Sequence, residues 1–129
     1  MPILALVVDD SMLMRYTVCR FLEEHGYTVE SATNGVEALE VLARMQPDLI
    51  VTDIQMPKMS GSELISAVKA KPETAAVPII IVAARSSSSD ESEKRANFTI
   101  YKDIDIEKQL TKALAALSGK RRRGHAAGK

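Results

Sequence analysis

The sequence predicts an α/β fold, a parallel sheet with helices packed on both faces. Three observations carry that prediction. Short apolar runs and amphipathic stretches alternate five times along the chain. The first of the runs, Ile3–Val8, is continuously apolar, as in a strand buried on both faces. Helix starts and stops fall where the apolar stripes begin and end. In such sheets the connections are right-handed crossovers, and ligands sit outside the carboxyl ends of the strands.

Taken in order, Ile3–Val8 is the first strand. Met14, Val18, Phe21 and Leu22 then fall on one helical stripe, and Gly26 supplies the stop. Tyr27–Ser31 is a β-branched, alternating second strand. Asn34 with Glu37 three residues on forms a capping pair, opening a helix through Val36, Leu39 and Ala43 that ends before Pro47. Leu49–Thr52 is a third strand leading into Asp53, followed by a loop with Pro57. Ser60 and Glu63 make a second capping pair; Leu64, Ala67 and Val68 face one way until Pro72 stops that helix. Val77–Val82 and Phe98–Tyr101 are the fourth and fifth strands, and a final helix carries Ile106, Leu110, Leu114 and Leu117 on one side. Between Val82 and Phe98 the chain has no apolar stripe, so a helix there is expected to be short, mobile or absent.

With 129 residues, 46% of them hydrophobic and 26% charged, the chain has the composition of one soluble globular domain. Aromatics are few (Phe21, Phe98, Tyr16, Tyr27 and Tyr101), so the core must be aliphatic. No apolar run approaches the ~20 residues that span a bilayer. The opening Met1–Val8 lacks a basic segment and meets two aspartates, which argues against a signal peptide and for a cytoplasmic domain. A single cysteine, Cys19, excludes an internal disulfide and a cysteine-based zinc site.

The net charge of zero hides an asymmetry. Residues 1–119 carry 12 basic and 17 acidic groups, while Lys120, Arg121, Arg122, Arg123 and Lys129 crowd the last ten positions. An acidic body of this kind is a poor reader of nucleic-acid grooves, and no direct DNA binding by the domain and no membrane insertion are expected. The division expected is a domain over 1–118 and a basic, disordered tail over 119–129.

At the strand ends the chain places Asp9 and Asp10, Asp53, and Lys102. If the first and third strands are neighbours, at ~4.8 Å spacing, three carboxylates converge in one cleft. Mutual repulsion calls for a bound cation, and oxygen-only ligands without His or Cys point to a hard ion, Mg²⁺ first. An ordinary capping role explains one aspartate at a loop start but not this set.

These residues, in their setting, resemble the response-regulator receiver domains of two-component signalling, of the chemotaxis single-domain type. The matching stretches are Leu6-Val7-Val8-Asp9-Asp10-Ser11, then Pro47 through Pro57 around Asp53, then Ser60-Gly61, Val77 through Val82, and Lys102. The resemblance implies a doubly wound, flavodoxin-like five-stranded sheet in the order 2-1-3-4-5. It implies that Asp53 accepts a phosphoryl group from a histidine kinase or histidine phosphotransfer protein. Asp9, Asp10, Asp53 and the backbone carbonyl of Gln55 would hold Mg²⁺, with Lys102 against a phosphoryl oxygen. The domain would catalyse only its own phosphorylation and dephosphorylation, and would signal to a downstream protein by contact.

The sequence departs from the family at several places. Ala83 stands where the fourth strand usually ends in a Ser or Thr that bonds the phosphoryl group. Asp103 replaces the usual Pro after the lysine, and Ala96-Asn97 replace a Gly-Ala pair. Thr99 occupies the usual aromatic position, between Phe98 and Tyr101. The segment from Ala83 to Lys102 is also short for the family. The acceptor chemistry is untouched by these changes; the output switch is not, and Ser86 is a candidate substitute hydroxyl. Two alternatives stand beside the receiver: a pseudo-receiver that binds partners without phosphate, and a haloacid-dehalogenase-type phosphatase, which would need an Asp-x-Asp pair after the first strand. His25 reads as a helix-end cation, His125 lies in the tail, Cys19 is a packing residue, and Ser86–Ser89 is a loop.

Overall fold

The computed structural model describes residues 3–54, 56, 58–83, 96–102 and 105–127, with side chains as far as Leu117. Five strands and four helices appear among them. In chain order they are β1 (Ile3–Val8), α1 (Met12–Glu24), β2 (Tyr27–Ala32), α2 (Gly35–Leu42), β3 (Leu49–Asp53), α3 (Gly61–Ala70), β4 (Ile79–Ala83), β5 (Phe98–Tyr101) and α4 (Ile106–Ala127). All neighbouring strands pair in parallel, in the order β2-β1-β3-β4-β5. The expected doubly wound sheet is therefore the observed one.

The two-residue period of the strands sorts their side chains into two cores. Leu6, Val8, Ile50, Ile79 and Ile81 pack with Ala38 and Val41 of α2 and Leu64, Ile65 and Val68 of α3. On the other face, Ala5, Val7, Val51, Ile80, Val82 and Ile100 meet Val18, Phe21 and Leu22 of α1 and Leu110, Ala113 and Leu117 of α4. From Ala5 to Val8 in β1, and along β3 and β4, every residue is buried, which explains why the apolar runs there do not alternate with polar positions.

The helix signals hold in detail. Asn34 accepts from the Glu37 N–H at 2.9 Å. Ser60 and Glu63 close a reciprocal capping box at 3.2 and 2.9 Å. Gly26 takes φ +91°, the left-handed conformation a helix stop requires. Lys71, before Pro72, is extended. Cys19 packs against the α1–α4 core, and burial pushes its thiol pKa up, as suits a packing residue. His25 caps α1, its Nδ1 2.8 Å from the Phe21 carbonyl oxygen and its ring stacked on Phe21.

Two expectations need correction. The buried stripe of α2 is Ala38 and Val41, flanked by Leu39 and Leu42, whereas Val36 and Ala43 face solvent. β4 begins at Ile79 and not at Val77, because the Val77 N–H is spent on the Thr74 carbonyl in a turn that the Thr74 hydroxyl fastens to Val68. The backbone of α4 runs to Ala127. The helix expected to be short or absent between β4 and β5 falls on 84–95, with Ser86, outside the described residues.

Candidate functional site

The parallel order puts the ends of β1, β3, β4 and β5 side by side along one edge of the sheet. Asp9 continues the β1–β2 ladder by one bond, from its N–H to the Ala32 carbonyl at 3.1 Å. The chain then turns through Asp10 to Ser11, the N-cap of α1. That turn folds the Asp9 carboxylate back, where Oδ1 accepts the Ser11 N–H at 2.9 Å. Arg15, one turn into α1, donates to the Asp9 backbone carbonyl at 2.8 Å and fixes the turn from the other side.

Asp53 is the last residue of β3 and is buried. Its position is tied to α3 by Gly61, whose N–H donates to the Ile54 carbonyl at 2.8 Å. A Cβ at Gly61 would stand 2.4 Å from the Asp53 carbonyl oxygen, so only glycine permits this approach. Lys102 follows β5, its N–H bonded to the Ala83 carbonyl at 3.0 Å. Gln109 of α4 clamps the strand just before it, accepting from the Tyr101 N–H and donating to the Tyr101 carbonyl.

From these positions the side chains meet. One oxygen each of Asp9, Asp10 and Asp53 lie within 4.8 Å of one another. The Lys102 Nζ sits 3.0 Å from Asp53 Oδ2 and 3.9 Å from Asp9 Oδ1, reaching over the end of β4. Ala83, at that end, is fully buried and presents no hydroxyl. Asp10 is exposed, at the mouth of the cleft. Gln55, the fourth ligand in the expected set, lies outside the described residues, as does Asp103.

Charge in the cleft is not balanced. Burial, together with the anions Asp53 and Asp10, raises the Asp9 pKa to about 6 against the pull of the Ser11 N–H and Lys102. Asp9 Oδ2 is buried without a hydrogen-bond partner. Burial lowers the Lys102 pKa, but the hydrogen bond to Asp53 and the charges of the three aspartates outweigh it and leave a net rise. The ammonium is therefore firmly protonated, one cation among three carboxylates. Such a cleft gathers oxygen ligands, among them the unpartnered Asp9 Oδ2, of the kind a hard cation takes.

A doubly wound α/β domain with paired aspartates after β1, an aspartate ending β3 and a lysine after β5 defines a narrow class. The model of the response regulator receiver domain family matches residues 5–115. The chain belongs to that family. Among curated relatives it is 39% identical to response regulator MprA of Mycobacterium sp. (strain KMS) over 90 residues, 70% of this chain and 38% of that protein. It is 40% identical to MprA of Mycobacterium ulcerans over an equal length. The chain thus matches well under half the length of those regulators. Among solved structures, the chemotaxis response regulator CheY4 of Vibrio cholerae superimposes with a TM-score of 0.81 at 30% identity, covering 90% of this chain and 98% of that one. The receiver domain of a Syntrophus aciditrophicus signal transduction histidine kinase gives 0.80 at 32%, covering 90% of each. This is a signalling domain, a receiver, and neither of the two alternatives is favoured.

Arg15 and Gln109 went unread in the sequence. Both brace the backbone through polar contacts that follow no periodicity. Among the described residues no helix is long and apolar enough to cross a membrane.

Proposed function

We propose that Asp53 accepts a phosphoryl group from a phosphohistidine on a kinase or phosphotransfer protein, and that the chain works in a two-component phosphorelay. The observation that carries this reading is the Lys102–Asp53 contact of 3.0 Å beside Asp9 and Asp10. In phosphoryl transfer the protein positions the reactants and neutralises the equatorial oxygens. Asp53 Oδ attacks phosphorus as the bond to the donor nitrogen breaks. Lys102 leaves an aspartate for a phosphoryl oxygen.

The donor set fits Mg²⁺: the unpartnered Asp9 Oδ2, the convergence of Asp9, Asp10 and Asp53, and oxygen ligands alone. When bound, the ion would supply positive charge to the transferring oxygens, with the Gln55 carbonyl as a further ligand. Ala83 removes the usual hydroxyl and so points to an output that does not use β4 in the family's way, through contact with a downstream protein. We place the receiver at 1–118 and regard 119–129 as a basic extension, with the whole in the cytoplasm; the domain would catalyse nothing beyond its own phosphoryl gain and loss. The test is a heteronuclear NMR titration with Mg²⁺ and beryllofluoride. Perturbations centred on Asp9, Asp10, Asp53 and Lys102, saturating only with both present, are expected. Beryllofluoride without effect in saturating Mg²⁺ would favour the pseudo-receiver.

A further inference from the structure

We propose that Gln109 is the positioning residue for Lys102: its amide, bonded to the Tyr101 backbone, holds the end of β5 while the lysine exchanges Asp53 for a phosphoryl oxygen. The inference deepens the reading of Asp53 as acceptor and rests on it.

The fold creates the need. Asp53 ends a central strand in which every residue is buried. Asp9 is tied down through Ala32, Ser11 and Arg15. Lys102 starts from weaker ground. It stands just past β5, a strand of four residues at the edge of the sheet beside β4. Its charge rides on a flexible four-carbon stem. The residue after it is Asp103, which places no limit on its backbone as a following proline would. Short strand ends at an edge are where a domain opens most cheaply.

Gln109 closes the open side. Tyr101 directs its N–H and its carbonyl away from β4, and one amide meets both. Gln109 Oε1 accepts from the Tyr101 N–H at 3.0 Å, and Nε2 donates to the Tyr101 carbonyl at 2.9 Å. A neighbouring strand supplies such a reciprocal pair in a ladder; here a side chain does. The next N–H, that of Lys102, points the other way and donates to the Ala83 carbonyl at 3.0 Å. The Tyr101–Lys102 peptide is thus held on both sides, its carbonyl by Gln109 and its N–H by Ala83. That fixes the direction in which the lysine stem leaves the strand, and Nζ arrives 3.0 Å from Asp53 Oδ2.

Gln109 is itself anchored. Asp105 caps α4, its Oδ1 accepting from the Lys108 N–H at 3.1 Å and its carbonyl from the Gln109 N–H at 3.2 Å. Leu110, the next residue, is fully buried in the core shared with Val82 and Ile100. The clamp therefore ties the base of Lys102 to the same core that carries β4. An amide suits the place, because it offers donor and acceptor together and brings no charge of its own. With the base held, exchange of partners at Nζ needs only rotations along the side chain. With the base loose, the backbone must be ordered as well before the charge can be placed.

The experiment is a double-mutant cycle on the full 129-residue chain, with Gln109→Met and Lys102→Met made singly and together. Methionine matches the length of glutamine and removes both hydrogen bonds. Two quantities are read: the rate of phosphoryl uptake from acetyl phosphate in saturating Mg²⁺, and the affinity for Mg²⁺ alone, by NMR. Gln109→Met should slow uptake about tenfold, within the ~100-fold that a 1 Å misplacement can cost. It should raise Mg²⁺ affinity about twofold, because a loosened ammonium competes less with the ion. In the Lys102→Met background both effects should vanish, since no ammonium is left to position. A general loss of packing would persist in either background. Gln109→Asn carries the same amide on a stem one methylene shorter, and takes the place of Gln109→Met in the cycle if the methionine variant does not fold. Uptake and Mg²⁺ affinity at parent values, or changes of equal size with and without Lys102, would overturn the proposal. A parent that takes up no phosphoryl group would instead contradict the acceptor reading of Asp53, and the Mg²⁺ arm would then decide on Gln109 alone.

Discussion

Lys102 and Asp53 meet across the end of β4: the ammonium donates to Asp53 Oδ2 at 3.0 Å, joining the edge strand β5 to the centre of the sheet. The same ammonium lies 3.9 Å from Asp9. One lysine therefore does, in the resting domain, part of the neutralising that a metal and a phosphoryl group would rearrange.

Replacing it tests that competition. Lys102→Met leaves three carboxylates with no internal cation. Its Mg²⁺ affinity should rise about three- to tenfold, because the metal no longer competes with an ammonium. Without metal the variant should be less stable by about 1–2 kcal/mol, less than for a fully buried pair because the lysine is 30% exposed. NMR-detected metal titration and chemical denaturation check the two arms. Equal Mg²⁺ affinity would show that Lys102 does not share the metal's ligands.

Asp9 makes stability depend on pH. Its folded pKa, about 6, lies above the ordinary 3.8, so the folded state holds the proton more tightly than the unfolded chain. The stabilising contribution is complete below about 4 and is lost as pH rises through 6. Asp9→Asn should therefore raise the stability of the metal-free domain at pH 7.5, by about 1–2 kcal/mol, with the gain shrinking toward pH 4. Proton and metal compete for the same carboxylate, so Mg²⁺ binding by the parent should weaken below about pH 6. Thermal melts of parent and variant across this range read both effects.

Two glycines differ in what a methyl group would strike. At Gly61 a Cβ would stand 2.4 Å from the Asp53 carbonyl oxygen and 2.7 Å from the Ile54 Cα, both backbone. At Gly35 it would stand 2.7 Å from Met59 Cβ and Cγ, and because Cβ moves only with its backbone, relief requires a shift of Met59, which lies in irregular chain before α3 and not in the central sheet. Gly61→Ala should cost about 2–3 kcal/mol and displace Asp53, slowing phosphoryl uptake; Gly35→Ala should cost about 1 kcal/mol. Urea denaturation of the two variants decides, and equal losses would contradict the described approach of α3 to β3.

Much of this architecture was legible in the residues. The unbroken apolar run of β1 announced a strand covered on both faces, and Asn34, Ser60 with Glu63, Gly26 and Pro72 marked helix ends through local hydrogen bonds and steric limits. The convergence of Asp9, Asp10 and Asp53 followed once their strands were neighbours. What was not legible depended on tertiary choice. α2 has apolar residues on two faces, and packing against β1 and α3 chose Ala38 and Val41 over Val36. Arg15 and Gln109 act on backbone atoms brought near only by folding. Val77 has a strand-forming side chain, but its N–H was claimed by Thr74.

The most direct measurement is intact-mass analysis after incubation with a small phosphodonor and Mg²⁺, for the parent and Asp53→Asn in parallel. The parent should gain one phosphoryl group, labile to hydroxylamine as an acyl phosphate is, and Asp53→Asn should gain none. Equal labelling of the two proteins, or a parent that gains nothing with Mg²⁺ present, would contradict the assignment of Asp53 as the acceptor.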